Sequence, residues 1–215
     1  MSIGIIGAGA IGSNVARLLA KNGIEATIAN SRGPETLAPL VEELGPPIRA
    51  GTAAEAASAD VVLVAVRWVD LEKALGGLPA WNGRIVIDAT NAIEFLDPDS
   101  PEAKDPSNPL GVYGIRAIDL GGKHSSQLLA KLVPGAPVVK AFNNLEAHLL
   151  SEEPAGGGQR AIVYSGDDAD AKATVRAIIE RSGSFPVDLG TLDVGGPLAS
   201  PPHGAFSGVN LIRLP

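Results

Sequence analysis

No cysteine occurs among the 215 residues, which excludes disulfides, thiolate metal sites and thiol nucleophiles together. A basic excess is also missing: 17 Lys and Arg face 24 Asp and Glu, for a net charge of -7. Nucleic-acid binders normally carry a basic face, so no nucleic acid is expected as a partner. No stretch reaches the roughly 18 uninterrupted apolar residues of a membrane span, so no membrane is expected either. The N-terminus has no basic region ahead of its apolar residues and reads as a strand rather than a signal peptide, so the expected location is cytoplasmic. No metal site is expected, and too little chain follows Lys140 for a long all-helical C-terminal domain. What is present, 45% hydrophobic and 19% charged residues, is the composition of an ordinary globular α/β protein. The length suits one large domain or one with an appendage.

The most informative stretch is the opening one. Ile3-Gly4-Ile5-Ile6 is an apolar run that leads into Gly7-Ala8-Gly9-Ala10-Ile11-Gly12, and Asn14-Val15-Ala16-Arg17-Leu18-Leu19-Ala20 continues as a helix. The pattern is strand, tight turn, helix. In a dinucleotide-binding unit the first glycine (Gly7) permits the sharp turn and the second (Gly9) lets the backbone approach a pyrophosphate. The third, Gly12, lets the helix pack closely on the strand. Free N–H groups at the helix start, reinforced by its dipole, hold the phosphate charge. Gly7, Ala8, Gly9, Ala10, Ile11 and Gly12 are therefore assigned to a cofactor, and a second apolar strand at residues 25–29 falls about where that unit requires it.

The end of that second strand selects the cofactor. An NAD site usually places an Asp or Glu there for the ribose 2′-hydroxyl, whereas a 2′-phosphate needs the anion absent and a cation near. The chain reads Asn30-Ser31-Arg32-Gly33-Pro34-Glu35-Thr36, with no acid at the first three positions. Arg32 can grip a phosphate with its planar fork or stack on the adenine, with Ser31 and the backbone adding hydrogen bonds. Pro34 suits the first turn of a helix over 35–44, whose start, including Thr36, faces the same phosphate. Asn30, Ser31, Arg32 and Thr36 thus point to NADP(H). In the plainer alternative Ser31 caps the helix and Arg32 is a solvated charge; Glu35 is the one feature that opposes a phosphate.

Further on, residues 61–66 and 84–88 are continuous apolar strands of the kind buried on both faces of a parallel sheet. Ligands bind beyond the carboxyl ends of such strands, so Ala65, Val66 and Arg67 are expected to border a nicotinamide, with Trp68 lying on a ring or packing a helix. Asn91, past the next strand, can orient a carboxamide or close an Asx turn. Residues 95–112 are rich in proline and acid, and no regular element is expected there; a flap near the active site is the preferred reading. Ser125 is expected to cap a helix over 125–132. A sixth strand over 137–142 ends at Asn143-Asn144. Residues 160–188 read as strand, helix, strand, and 189–215, with Gly195-Gly196-Pro197, as turns before a weakly helical end. His148 reads as structural, and His203 as the other histidine near a cleft wall.

The expected architecture is a Rossmann-type, doubly wound, mostly parallel sheet over 1–150 with a small C-terminal α/β extension over 151–215. With these residues in view the chain resembles the coenzyme F420-dependent NADP oxidoreductase family, whose fold also appears in the cytoplasmic domain of STEAP metalloreductases. The resemblance rests on Gly7 to Gly12, Asn30-Ser31-Arg32, Val64-Ala65-Val66-Arg67-Trp68, Asp88-Ala89-Thr90-Asn91, Val138-Val139-Lys140-Ala141-Phe142-Asn143 and Asp193-Val194-Gly195-Gly196-Pro197-Leu198. It implies hydride transfer between NADP(H) and a small-molecule acceptor, F420 or a flavin, stacked on the nicotinamide. The residues around 66–68, Asn91, Asn143 and Pro197 would sandwich the rings, and no catalytic side chain is assigned. The resemblance also implies a homodimer, with a partner surface or loop completing the acceptor pocket. Thr36 stands where the family often carries lysine, Asn143-Asn144 where it often shows His-Thr or Asn-Thr, and the 95–112 connection is longer than usual. Two other readings remain: a reductase of small imines or carbonyls, and a non-catalytic NADPH sensor.

Overall fold

The computed structural model describes residues 1–214; Pro215, the end of the expected C-terminal stretch, lies outside the described residues. The first half alternates strand and helix: β1 (Ile3–Ile6), α1 (Ala10–Lys21), β2 (Ala26–Ala29), α2 (Ala38–Leu44), β3 (Ile48–Ala50), α3 (Ala53–Ala57), β4 (Val61–Val64), α4 (Leu71–Leu75) and β5 (Ile85–Asp88). Next come β6 (Ile93–Phe95), β7 (Ile115–Ala117), α5 (Ser125–Leu132) and β8 (Val138–Ala141). The chain ends with β9 (Gln159–Gly166), α6 (Ala169–Arg181), β10 (Phe185–Asp188), α7 (Leu192–Ala199) and β11 (Ile212–Arg213).

The main sheet runs β10-β9-β8-β5-β4-β1-β2-β3, with β11 paired to β9. From β3 to β8 all pairs are parallel, which gives the doubly wound, Rossmann-type order expected from the sequence. β9 then enters antiparallel to β8, and β10 lies parallel to β9. Because the order reverses beside β1, with β2 on one side and β4 on the other, a crevice opens beyond the carboxyl ends of these strands.

The register explains the continuous apolar strands. Ile5, Leu63, Ile87 and Val139 stand side by side and join one core with Val15 and Leu19 of α1 and Val175 and Ile179 of α6. Their neighbours Ile6, Val62, Val64, Val86 and Val138 join a second core with Leu71, Leu129 and Leu192 on the opposite face. At 25 cal/mol per Å² such two-sided burial gives roughly 1.5–3 kcal/mol per aliphatic side chain before the cost of ordering the chain.

Four expectations need correction. The helix over 35–44 is divided: residues Pro34–Leu37 form a 3-10 turn and the α-helix starts at Ala38. Pro39 has no N–H to give the Glu35 carbonyl, so a continuous α-helix lacks a bond at that point. The stretch 95–112 is not wholly irregular, since it contains 3-10 turns at Glu102–Lys104 and Gly111–Tyr113. Its base is a two-stranded ribbon in which Ile93 pairs Ala117 and Phe95 pairs Ile115, locked by Arg116 donating to Glu94 across 2.7 Å. Neither Ser125 nor Ser126 caps α5; both are buried inside its first turn and turned toward a buried ion pair. Finally, Gly195-Gly196-Pro197 is not a turn but the middle of α7, and the tail ends as a strand. A Cβ on Gly195 would sit 2.4 Å from that of Ser165 on β9, so the glycines serve close helix–sheet packing.

Candidate functional site

The bend after β1 is built for a backbone approach. Gly7 has φ of 106°, a conformation that side chains oppose, and a Cβ there would lie 2.4 Å from the Ala65 carbonyl oxygen. Gly12 is equally constrained: its Cβ would stand 1.8 Å from the Gly7 oxygen. Gly9 differs, because a Cβ there would meet nothing within 4 Å. That open space lies in front of the first turn of α1, whose cap residue Gly9 offers no side-chain bond and whose first turn holds no acid. Uncapped N–H groups at a helix start favour an anion, so the bend fits the diphosphate of a dinucleotide. Ala10 is exposed at this mouth, while Ile11 anchors the turn against the core.

The loop after β2 is shaped by two of its predicted residues and opened by the other two. Asn30 accepts from the Arg32 N–H at 2.9 Å and donates to the Thr36 hydroxyl at 2.8 Å, which in turn donates to the Gly33 carbonyl at 2.8 Å. These bonds occupy Asn30 and Thr36 with the loop itself. Ser31 and Arg32 remain exposed, and Arg32 forms no ion pair among the described residues. The Glu35 carboxylate folds back onto Gly33, where a Cβ would meet it at 2.4 Å. The guanidinium is therefore free to take a phosphate.

Beyond β4, Val66 lies against Gly7, 2.9 Å from where a Cβ would be. Arg67 is tied to its own turn, donating to Asp70 at 2.8 Å. Trp68 lines a surface cavity of about 540 Å³ between α4 and α5 together with Leu71, Leu128 and Leu132 and is partly buried against the core that contains Leu71 and Leu129. Asn91 and Asn143 are brought together: Asn91 donates to the backbone oxygen of Asn143 at 2.9 Å, and the Asn143 amide donates to Asn91 Oδ1 at 2.9 Å and to the Ala199 oxygen at 2.9 Å. The Asx-turn alternative belongs instead to Asp88, which accepts from the Thr90 N–H at 2.9 Å. Just before the amide pair Phe142 has φ of 64°, a costly conformation for a bulky residue.

A polar network that sequence reasoning missed lies beneath this pair. Lys140, 1% exposed in mid-sheet, donates to Asp88 Oδ2 at 3.2 Å, the Thr90 carbonyl at 2.9 Å and the Ser125 hydroxyl at 3.0 Å. Asp88, fully buried, also accepts from the Thr90 hydroxyl at 2.7 Å and from Ser126 at 2.6 Å. The signal was a lysine inside an otherwise apolar strand. His124 was missed too. Its ring lies against Gly196 of α7, and both nitrogens are shielded from solvent without a hydrogen-bond partner. Burial pushes its pKa below the ordinary value and the Lys140 charge adds to this, against the opposing pull of Asp167, Asp193 and Asp88. His203 and His148 are exposed. Among the described residues no group of His, Asp and Glu could hold a metal ion, and no helix is long and apolar enough to cross a membrane.

Comparison with known proteins adds to this geometry. The family described as NADP oxidoreductase, coenzyme F420-dependent, matches residues 2–92, the stretch from β1 to the turn carrying Asn91. The metalloreductase STEAP3 of Rattus norvegicus is 27% identical over 191 residues, covering 88% of this chain and 34% of its own length. The chain thus spans about a third of the curated relative it matches. A hypothetical protein from Sinorhizobium meliloti, SMa0349, is 38% identical with a TM-score of 0.85, covering 99% of this chain and 96% of its own. A candidate F420-dependent NADP reductase from Arthrobacter sp. FB24 is 25% identical with a TM-score of 0.65, covering 89% and 86%.

Proposed function

We propose that the chain, whose residues 2–92 match the family described as NADP oxidoreductase, coenzyme F420-dependent, is an NADP-dependent oxidoreductase acting on F420 or a flavin-like acceptor. The observation that carries this reading is the pairing of an open glycine bend with a free Arg32 one strand away. Backbone N–H groups of Ala8, Gly9, Ala10, Ile11 and Gly12 take the diphosphate, Gly7 and Gly12 giving the backbone its path. Arg32 and Ser31 take the 2′-phosphate on a loop that Asn30 and Thr36 hold in shape. Ala65, Val66 and Arg67 border the nicotinamide, with Asn91 and Asn143 on the side of β5 and β8. NADPH supplies the hydride when bound. The protein contributes position and the exclusion of water, and needs no general acid for that step.

The reading divides the work between residues 1–150, which hold the cofactor, and 151–215, which complete the acceptor side. The bond from Asn143 to the Ala199 oxygen, joining β8 to the end of α7, supports that division. A cytoplasmic homodimer completes the reading; Phe95, Val112 and Tyr113, exposed on the β6–β7 ribbon and its connection, are apolar side chains available to a second copy. The protein mixed with NADPH and, in turn, F420, FMN, FAD and a panel of small carbonyls is expected to lose nicotinamide absorbance with F420 or a flavin. Tight NADPH binding with no oxidation by any acceptor would leave a sensor and overturn the enzyme.

A further inference from the structure

We propose that Lys140 is the positioning residue that fixes the nicotinamide side of the site; this rests on the reading that the chain binds NADP(H). A buried ammonium is expensive, and a buried ion pair can often be replaced by apolar residues without loss of stability. Charge balance would need Asp88 alone, yet Lys140 also bonds the Thr90 carbonyl and the Ser125 hydroxyl. Thr90 immediately precedes Asn91, and Asn91 exchanges two hydrogen bonds with Asn143, which lies three residues after Lys140.

The bonds therefore close a ring: from Lys140 Nζ to Thr90, along the chain to Asn91, across the amide pair to Asn143, and back through Phe142 to Lys140. Phe142, the residue with φ of 64°, is inside this ring. A strained conformation persists only where its surroundings over-determine it, and the ring supplies that constraint. It fixes the carboxyl ends of β5 and β8 relative to each other, where a nicotinamide sits in a doubly wound sheet. Asn143 extends the constraint to Ala199, and Ser125 extends it to the start of α5. Lys140 itself is buried and touches no cofactor; it acts through Asn91 and Asn143.

Two titrations test this without an acceptor. 2′,5′-ADP reports the adenosine half alone, and the ratio of its Kd to that of NADPH reports what the nicotinamide half adds; dihydronicotinamide fluorescence on binding reports its surroundings. Lys140→Met is expected to leave the 2′,5′-ADP affinity within about twofold while the ratio falls about tenfold, the loss of one well-placed contact, with the fluorescence response lost. Should Lys140→Met fail to fold, Asp88→Asn combined with Lys140→Met leaves a neutral pair and is expected to show the same loss. Because the chain has no cysteine, Lys140→Cys can be aminoethylated while unfolded and refolded, restoring an ammonium on a side chain of lysine length. That product is expected to regain the ratio. A folded variant with ratio and fluorescence unchanged overturns the proposal, as does equal loss of both ligands, absence of rescue, or a wild type that gains nothing from the nicotinamide half. A wild type that binds neither ligand overturns the NADP(H) reading instead.

Discussion

At the residue scale, single atoms decide the account. Arg32 is exposed and unpaired among the described residues, so Arg32→Ala should leave the fold untouched. Hydrogen bonds to charged groups contribute about 1.5–3 kcal/mol, so NADPH affinity is expected to fall about 10- to 100-fold, with NADH affinity nearly unchanged; competitive titration of the two nucleotides checks this. Gly12→Ala acts oppositely, through the fold. Its Cβ would stand 1.8 Å from the Gly7 oxygen, and overpacking of that kind costs about 3 kcal/mol, or roughly 6 to 12 °C in Tm for a chain of this size, measurable by thermal melting. The constraint on Gly12 was legible in the sequence because close helix–strand packing requires one residue type at one spacing. Asn30 and Thr36 read as cofactor contacts in the sequence, whereas the folded chain spends their side chains on the loop itself. His124 gave no signal, since a histidine before two serines carries no periodicity, and its shielding arises from Gly196 on an element far along the chain.

At the element scale, the strands were the most legible part. Two-sided burial produces unbroken apolar runs, and β1, β4, β5 and β8 lie within a residue or two of where such runs placed them. Helix ends and tertiary exceptions were less legible. Ser125 and Ser126 had the composition of a cap, but a buried lysine and aspartate from two strands competed for their hydroxyls. Gly195-Gly196-Pro197 had the composition of a turn, but α7 needs the missing side chains to approach β9. That close approach yields a prediction. Gly195→Ala puts a Cβ 2.4 Å from the Ser165 Cβ, displacing α7 at a cost of about 1–3 kcal/mol. It should weaken acceptor turnover several-fold while 2′,5′-ADP binding, which the proposed function assigns to α1 and the Arg32 loop, stays within about twofold. Equal losses in the two assays would place α7 in the cofactor half instead.

At the scale of the whole molecule, the fold depends on protons at both ends of the acid range. His124 has its pKa lowered by burial and by Lys140, so at pH below about 6.5 the unfolded chain takes a proton that the folded one resists. Stability should therefore rise as the pH increases from about 5 to about 7 and level off above that. His124→Gln is expected to flatten this slope, as read from Tm at several pH values. Asp60, whose pKa is lowered by the Ser2 N–H and hydroxyl, contributes stability that is present above about pH 4 and lost below it. The Lys140–Asp88 pair ties β8 to β5 in mid-sheet, and breaking it with Lys140→Met is expected to cost about 3–5 kcal/mol because Asp88 is left buried and uncompensated.

The proposed function turns on the glycine bend and Arg32 acting together on one phosphorylated dinucleotide. Calorimetric titration of the wild-type protein with NADPH and with NADH, in the same buffer, tests that most directly. NADPH is expected to bind at least about tenfold more tightly, the contribution of one charged hydrogen-bonded contact. Equal affinities, or a preference for NADH, would contradict it.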